Sequence, residues 1–524
     1  MLNRLAALTR RLALGSIHQS ALCIALGLVI LLLCHGVFWA PVHRPLLWRE
    51  LANSAAVLLM LWGYLSLYLK FGLAAEPALP AAEGIKTSLS TPKDELNPKA
   101  VWGWAAVLFG LGWLLAAFHS TDVTGYINRG WQQSHYHTNP YLTVIDALPG
   151  WQQDPMLTNH WVNNPAPYGF AFMHVARWVT QLGQGQFALT LGAFKLVGLG
   201  CVLAIAGIIR SVGQRALGWS AQKGLKAQAL VLMHPLFLLH TLANGHNDAL
   251  MCVLMLLGVA CVMFERFKAL ALPTLMLAGL IKLAAWVVMP LALIWQWRRG
   301  DKQAALVGLG LSGTVFLLIA WPYLFSQQQW LHWPVAAMAG NATVVHNSLM
   351  ALVWDPLKAL LKLLGTTEPE RALWLKGLKA VFSVGFLGVY GLLVKRTWQT
   401  PNVKPVSGAV PPPEAPTRQT FVWLALAAQG ALVMVFSAKF YPWYVNMLWP
   451  LALWLYQPNS PQASPPLGVG SGATQLARCV LAISVGQVLG VTALGQAHVL
   501  NVLLMWLLPV GFVLLGKQSR GFDE

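Results

Sequence analysis

The sequence S-T-D-V-T-G-Y at residues 120–126 opens a polar stretch inside an otherwise apolar chain. The stretch continues with T-N-P-Y at 138–141, D-P at 154–155 and N-P-A-P-Y-G at 164–169. It is dense in Trp, Tyr, Asn, Gln and His, the residue types that stack on sugars and hydrogen-bond to them. An ordinary polar loop with turn prolines is the alternative. Because apolar runs flank the stretch on both sides, we expect it at the mouth of a membrane bundle.

The composition of the whole chain supports a membrane protein. Of 524 residues, 57% are hydrophobic and 10% are charged, whereas about a quarter is charged in soluble domains. Many apolar runs near 20 residues favour helices over a barrel. The net charge of +18 fits Lys and Arg in cytoplasmic loops, so no nucleic acid is expected. The six cysteines lack C-x-x-C spacing, which argues against zinc and disulfide frameworks.

Charge placement predicts the topology. Apolar runs at about 20–40 and 51–73 precede a polar linker at 74–99, and the run at 101–118 then delivers Asp122 to the outer face. We expect residues 168–179 to form an amphipathic helix along the outer surface, because the basic loop at 210–226 is then cytoplasmic. The chain is thus expected to be an all-α polytopic bundle of about fourteen spans with both termini in the cytoplasm.

Four polar clusters are predicted to reach the same outer face. They are Asp122, residues 246–248, Lys282 and residues 439–444. Lys282 is the single charge in the apolar region 269–297, and a charge at mid-bilayer costs at least about 2.5 kcal/mol. Two short helices meeting at an outward vestibule avoid that cost. A carboxylate can accept the proton of an attacking hydroxyl, and lysines can neutralise a departing phosphate.

The motifs resemble those of a known enzyme superfamily. Besides S-T-D-V-T-G-Y, N-P-Y and P-Y-G, the chain contains G-H-N-D-A-L-M at 245–251, G-L-I-K at 279–282 and Y-P-W-Y at 441–444. The order of these motifs and the side of the membrane on which they are predicted to lie resemble those of the GT-C glycosyltransferases. More narrowly, the motifs resemble those of the bacterial polyprenol-phosphate-mannose-dependent α-1,6-mannosyltransferases. The similarity runs from about 101 to 455. It implies a two-span extension with a linker (1–99), a GT-C-like catalytic core (100–456) and a C-terminal two-span segment (457–524).

The resemblance implies roles for particular residues. Asp122 matches the catalytic base, and Lys282 matches the lysine that holds the donor phosphate. We expect the remaining donor contacts from His246, Asn247, Asp248, Lys439, Tyr441 and Trp443. We expect acceptor contacts from Tyr126, Asn139, Tyr141, Asp154, Trp161 and Tyr168. The P-Y-G-P pattern of the family is incomplete, since Phe170 stands where proline is common.

The chemistry leaves alternatives open. Asp122 has no D-x-D partner, so no cofactor is expected and a divalent metal held with His246 and Asp248 is not favoured. One displacement inverts the anomeric centre and needs one carboxylate. A retaining double displacement would need a second carboxylate about 5 Å from the first. The candidates for this second carboxylate are Asp146, Asp154 and Asp248.

The expected reaction takes a sugar, mannose by the resemblance, from a polyprenyl-phosphate donor to a hydroxyl of a glycan or lipid acceptor. It would run on the outer face of a bacterial inner membrane, where nucleotide sugars do not reach. A transporter or flippase of a lipid-linked saccharide is the main competitor, and a non-catalytic relative is another. A transporter needs a polar path through the bundle to the cytoplasm. The cytoplasmic ends of these spans have basic residues at the membrane surface and few polar residues inside the spans, which argues against a transporter.

Overall fold

The computed structural model describes residues 15–42, 45–71, 95–325, 344–400, 414–456, 470–492, 501–507 and 510–511. Outside them lie most of the predicted linker at 74–99 and residues 326–343.

Helices form nearly all of the regular structure. The first half contains α1 (Ile17–His35), α2 (Leu46–Phe71), α3 (Pro98–Leu114), α4 (Asp122–Ser134), α5 (Phe170–Leu182), α6 (Phe187–Ala216), α7 (Ala221–Leu232) and α8 (Asp248–Met263). The second half contains α9 (Ala271–Ile281), α10 (Val288–Arg298), α11 (Lys302–Leu324), α12 (Leu349–Leu363), α13 (Glu368–Gln399), α14 (Glu414–Gly430), α15 (Trp449–Leu455) and α16 (Gly470–Gly486).

Short irregular helices and one hairpin connect these elements. Single 3₁₀ turns lie at Ile145–Ala147, Trp151–Gln153, Glu265–Leu270, Leu283–Val287, Pro442–Met447 and Gln487–Val491. Wider π-helical turns lie at Phe237–Ala243, Ala431–Val435 and Leu503–Leu507. Two short strands, β1 (Gly36–Val37) and β2 (Ala40–Pro41), pair antiparallel, with Gly36 opposite Pro41.

Six described helices are long and apolar enough to cross a membrane. They are Ile17–His35, Leu46–Leu69, Phe187–Ala216, Lys302–Leu324, Glu368–Gln399 and Arg418–Val435. A seventh results if α7 and the π turn Phe237–Ala243, which meet at 57°, form one bent span. The protein is therefore an all-α membrane protein, and the described part of its chain contains six or seven candidate spans. The expected fourteen are not confirmed, because that number includes shorter helices such as the 16-residue α8, which rises only about 24 Å.

The expected break at Lys282 is present. Helix α9 ends at Ile281, Lys282 adopts an extended conformation, and the 3₁₀ turn Leu283–Val287 leads into α10. The turn folds back so far that the indole of Trp286 donates a hydrogen bond to the carbonyl of Met276 at 3.2 Å. A Cβ on Gly279 would overlap this indole, so glycine permits the return that exposes Lys282.

Helices α4 and α5 pack together beside this break. A Cβ on Gly130 of α4 would overlap the backbone of Ala176 in α5, and one on Gly169 would overlap the backbone of Leu280 in α9. Glycine thus allows close backbone approach at both crossings. Helix α5 has 13 residues, about 20 Å, which is too short for the roughly 30 Å apolar core of a bilayer. Its position along the outer surface stays a prediction.

The apolar core runs through most of the described helices, and every residue of the π turn Phe237–Ala243 and of α15 is buried in it. Trp449 of α15 is fully buried and stacks on His234 with ring centroids 4.5 Å apart. Trp454, five residues later in α15, donates from its indole to the carbonyl of Ile209 at 3.3 Å. These contacts join α15 to α6 and to His234, which precedes the π turn Phe237–Ala243.

Candidate active site

A cavity of about 1050 Å³ opens where α4, the 161–169 loop, the break at Lys282 and the 437–444 loop meet. Among the described residues, the charged side chains that line it are Asp122, Arg129, Lys282, Lys379 and Lys439. The lining therefore combines one carboxylate with four cations, which suits an anionic ligand.

Asp122 was expected directly after the apolar run at 101–118, and the structure shows in addition that it is the first residue of a new helix, α4. Its backbone N–H donates to Ser120 Oγ at 3.2 Å, and its carboxylate lies at the positive end of the helix dipole. The side chain is 27% exposed, and Oδ2 lies 3.3 Å from Nδ1 of His246. Burial alone would raise the pKa of the carboxyl, but His246 and the charge of Lys282 outweigh burial, so the pKa of Asp122 is lowered. The side chain is therefore ionised at neutral pH.

Lys282 is bonded to a buried carboxylate. Its Nζ lies 2.6 Å from Oδ1 of Asp248, the first residue of α8. The side chain of Asp248 is 1% exposed and that of Lys282 is 28% exposed. The ammonium also lies 4.3 Å from the ring centroid of Tyr444. Because an ammonium has three N–H donors and one is used here, Lys282 can still donate into the cavity.

The 437–444 loop is held by a second loop. The backbone N–H of His346 donates to the Ala438 carbonyl at 3.0 Å, and Phe440 donates to the His346 carbonyl at 2.8 Å. Ser348 Oγ adds a hydrogen bond to the Ala438 carbonyl at 2.9 Å. The loop thereby presents Lys439 to the cavity, where burial and then the neighbouring charge of Lys379 lower the pKa of the Lys439 ammonium.

Aromatic rings form a continuous stack behind the carboxylate. The ring of Tyr441 lies parallel to that of Trp443, with centroids 4.6 Å apart and an interplanar angle of 2°. Trp443 in turn stacks on His246 at 3.9 Å and 18°. Tyr441 and Trp443 line the cavity, so this stack forms a rigid wall beside Asp122.

The comparisons with known proteins address the first part of the chain. The sequence matches the family described as "Alpha-(1->6)-mannopyranosyltransferase, N-terminal domain" over residues 24–299, just over half of the chain. The chain belongs to this mannosyltransferase family. Alpha-(1->6)-mannopyranosyltransferase A of Mycobacterium tuberculosis is 29% identical over 195 residues, which cover 36% of each chain. The chain thus aligns with about a third of that curated relative. No solved structure matches. The resemblance predicted from the motifs is confirmed.

The family match contains part of the site. Asp122, His246, Asp248 and Lys282 fall within residues 24–299, whereas the lysines at 379 and 439 and the Tyr441–Trp443 stack lie beyond it. The second half of the chain therefore completes the cavity of this mannosyltransferase-family protein.

The residues predicted to bind the donor divide into two groups. The structure places Lys282, Lys439, Tyr441 and Trp443 in the cavity lining. The other three, which are at most 6% exposed, lie outside that lining: His246, Asn247 and Asp248. They support the wall of the cavity from behind.

The residues predicted to bind the acceptor also divide. Trp161 and Tyr168 line the cavity, and Trp161 is 48% exposed. The others form hydrogen bonds within the protein. Asn139 donates to the Tyr323 carbonyl at 3.1 Å, and Tyr141 donates to the Tyr168 carbonyl at 2.6 Å.

Asp154 and Tyr126 are likewise part of the internal framework. Asp154 Oδ2 accepts from the Trp131 indole at 2.8 Å and from the Tyr136 hydroxyl at 2.9 Å. Tyr126 is 1% exposed, and its ring packs against Tyr168 with centroids 5.0 Å apart.

Two cavity cations were not predicted from the sequence. Arg129, on α4, donates to Gln132 and to the carbonyls of Trp161 and Asn164, so it holds the 161–164 loop in place. Lys379 lies within the candidate span α13 and lines the cavity. The criterion that singled out Lys282, a charge inside an apolar run, would have found Lys379 together with Lys376 of the same helix.

The described residues contain no group of three or more His, Cys, Asp or Glu side chains that could hold a metal ion. Within the trio considered above, Asp248 is bonded to Lys282 and Asp122 lies next to His246.

Proposed function

We propose that this protein is an integral membrane mannosyltransferase that transfers mannose from a polyprenyl-phosphate donor to an acceptor hydroxyl. The observation that carries the proposal is the joint presence of one ionised carboxylate and several lysines in a single large cavity, in a chain that belongs to the mannosyltransferase family. A general base and a phosphate-binding group are the two functions that such a transfer needs.

Asp122 acts as the base in this proposal. The acceptor oxygen attacks the anomeric carbon, the bond from that carbon to the phosphate oxygen breaks, and Asp122 takes the hydroxyl proton. Among the described residues that line the cavity, Asp122 is the one carboxylate. Asp154 and Asp248, two candidates for a second carboxylate, are engaged elsewhere. A single displacement with inversion fits this arrangement better than a double one.

The lysines bind the donor phosphate. A phosphodiester carries one negative charge, and the polyprenyl phosphate that leaves carries up to two near neutral pH, since the second pKa of a phosphate monoester is about 6. Lys282 offers its remaining N–H donors, and Lys439 and Lys379 face the same space. Extra cations beside the leaving group stabilise the charge that develops as the bond breaks.

The sugars are held by aromatic side chains. Tyr441 and Trp443 present a flat wall near Asp122, and Trp161 and Tyr168 line another part of the cavity. Aromatic faces of this kind pack against the apolar face of a sugar ring. We assign the first pair to the donor mannose and the second pair to a glycan or lipid acceptor.

The cavity faces outward in this proposal. The basic residues predicted as a loop at 210–226 form the end of α6 and the start of α7, and in this proposal they lie in the cytoplasm. The shorter apolar helices then complete a bundle of about fourteen spans, and both termini are cytoplasmic. A lipid-linked donor reaches such a site in a bacterial inner membrane, whereas a nucleotide sugar does not.

A transfer assay in nanodiscs tests the donor class. The purified protein is given polyprenyl-phosphate [³H]mannose or GDP-[³H]mannose together with a mannan-type acceptor. We expect labelled acceptor and free polyprenyl phosphate with the lipid donor alone. Transfer from GDP-mannose would refute the donor assignment. Movement of the lipid-linked sugar across sealed vesicles without any transfer would favour the transporter.

A further inference from the structure

His246 was predicted to contact the donor, yet its side chain is completely buried and lies outside the cavity lining. Its Nδ1 lies 3.3 Å from Oδ2 of Asp122. The contact is short but not ideally aligned for a hydrogen bond, and catalytic hydrogen bonds of this kind commonly tighten when substrate binds. His246 therefore faces the carboxylate and not the substrate.

The imidazole of His246 is held in a fixed plane. One face stacks on Trp443 at 3.9 Å, and His240 lies 5.9 Å away on another side. The backbone N–H of His246 donates to the His240 carbonyl at 3.0 Å. The preceding Gly245 has a φ of +69°, and a Cβ there would lie 2.9 Å from a methyl of Val123. Glycine allows this turn to lie directly against the start of α4, next to Asp122.

The two ring nitrogens of His246 have different surroundings, since Nδ1 lies 3.3 Å from Asp122 Oδ2, whereas Nε2 is buried and has no hydrogen-bond partner among the described residues. A proton on Nε2 would leave a buried donor unsatisfied, which is unfavourable. The arrangement therefore favours the tautomer with the proton on Nδ1, from where it points to Asp122.

We propose that His246 is a positioning residue for Asp122, and that it donates from Nδ1 to Oδ2 and leaves Oδ1 to accept the proton of the acceptor. This inference rests on the proposed role of Asp122 as the base. In this proposal Trp443 has two functions. One face of its ring supports His246, and the residue also lines the cavity.

Other groups near Asp122 also influence its charge, and the test must separate them. The groups that interact electrostatically with Asp122 itself are Tyr126, Tyr168, Lys282, Lys439, Tyr441 and Tyr444. The buried imidazoles His119 and His240 interact instead with His246. Among these groups, His240 provides the matched control, because it is a buried histidine beside His246 whose two ring nitrogens have no partner in the described residues.

The test is the pH dependence of kcat/KM for transfer. A base must be ionised, so activity falls at the acidic limb where Asp122 becomes protonated. His246→Ala removes a donor to the carboxylate and raises the pKa of Asp122, so the acidic limb should move up by about one to two pH units. His246→Asn keeps a donor near the position of Nδ1 and should restore most of the original limb. His240→Gln should leave the limb in place.

An unchanged acidic limb in a folded His246→Ala protein would overturn the proposal, as would an equal shift in His240→Gln. If His246→Ala does not fold, His246→Asn is compared with His246→Gln, whose amide reaches towards the Nε2 position. The proposal then requires a shift in the Gln variant and little shift in the Asn variant. The Asp122→Asn variant separates the role of Asp122 as the base from the positioning role of His246. Full activity in Asp122→Asn refutes the base itself, whereas an inactive Asp122→Asn beside an unshifted His246→Ala refutes only the positioning role.

Discussion

Removal of Lys282 should have two separable effects, because its ammonium both neutralises a buried carboxylate and lines the cavity. The Nζ–Oδ1 distance to Asp248 is 2.6 Å, and Asp248 is 1% exposed. Lys282→Met leaves that carboxylate buried without a counter-ion, and breaking a buried pair in this way costs about 3–5 kcal/mol. Since Lys282 is 28% exposed, solvent screens part of the interaction, and we expect about 3 kcal/mol in the free energy of unfolding.

A second substitution should restore the stability that Lys282→Met loses but should not restore donor binding. Lys282→Met combined with Asp248→Asn removes the unpaired charge, so most of the lost stability should return. Donor binding should remain weak in both proteins, because neither has the ammonium. A hydrogen bond to a charged group contributes about 1.5–3 kcal/mol, which corresponds to a loss of about 10- to 100-fold in affinity.

Both quantities can be measured on the same preparations. Chemical unfolding in mixed micelles gives the stability, and binding of polyprenyl-phosphate mannose in nanodiscs gives the affinity. Lys362→Met, at an exposed lysine of α12, is the matched control and should change neither. Wild-type donor affinity in the double variant would refute the phosphate role of Lys282, and unchanged stability in Lys282→Met would refute the importance of the ion pair.

Three further predictions follow from the fold and the cavity. Gly279→Ala should destabilise the protein by about 1–3 kcal/mol, because the new methyl overlaps the indole that folds back on α9, whereas Gly310→Ala, where a Cβ meets nothing within 4 Å, should be tolerated in the same unfolding measurement. A cysteine at Ser211, near the end of α6, should resist an impermeant thiol reagent added outside intact cells in a cysteine-free background, and labelling there would contradict the cytoplasmic position of this end of α6. Lys379→Met should lower kcat/KM for the donor about tenfold, whereas the exposed Lys376→Met on the same helix should not; equal values would remove Lys379 from the site.

Local patterns in the sequence predicted the elements that depend on neighbouring residues. The lone charge of Lys282 and the preceding Gly279 indicated a broken helix, and α9 does end at Ile281. The polar cluster at 246–248 was predicted to lie outside the apolar runs, and α8 does begin at Asp248. In both cases a charged side chain would be unfavourable inside the bilayer. The position of that charge in the sequence therefore predicts where a helix begins or ends.

Contacts between distant parts of the chain were not predicted. The pairing of Lys282 with Asp248 depends on how α8 and α9 pack, and nothing in either motif specifies it. No helix was predicted directly after Asp122, yet residues 122–134 form α4. Its buried positions Val123, Tyr126 and Ile127 have the i, i+3, i+4 spacing of an amphipathic helix. This signal was present in the sequence.

The central claim is that Asp122 is the base, and one measurement tests it most directly. Initial rates of mannose transfer from a defined polyprenyl-phosphate donor are compared for wild type, Asp122→Asn and Asp146→Asn, with donor binding measured in parallel. Asp146 is an exposed carboxylate of the same loop region, outside the cavity lining. We predict that Asp122→Asn loses about 10²- to 10⁴-fold in rate while donor affinity stays near wild type, and that Asp146→Asn is active. A near-normal rate in Asp122→Asn would contradict the claim.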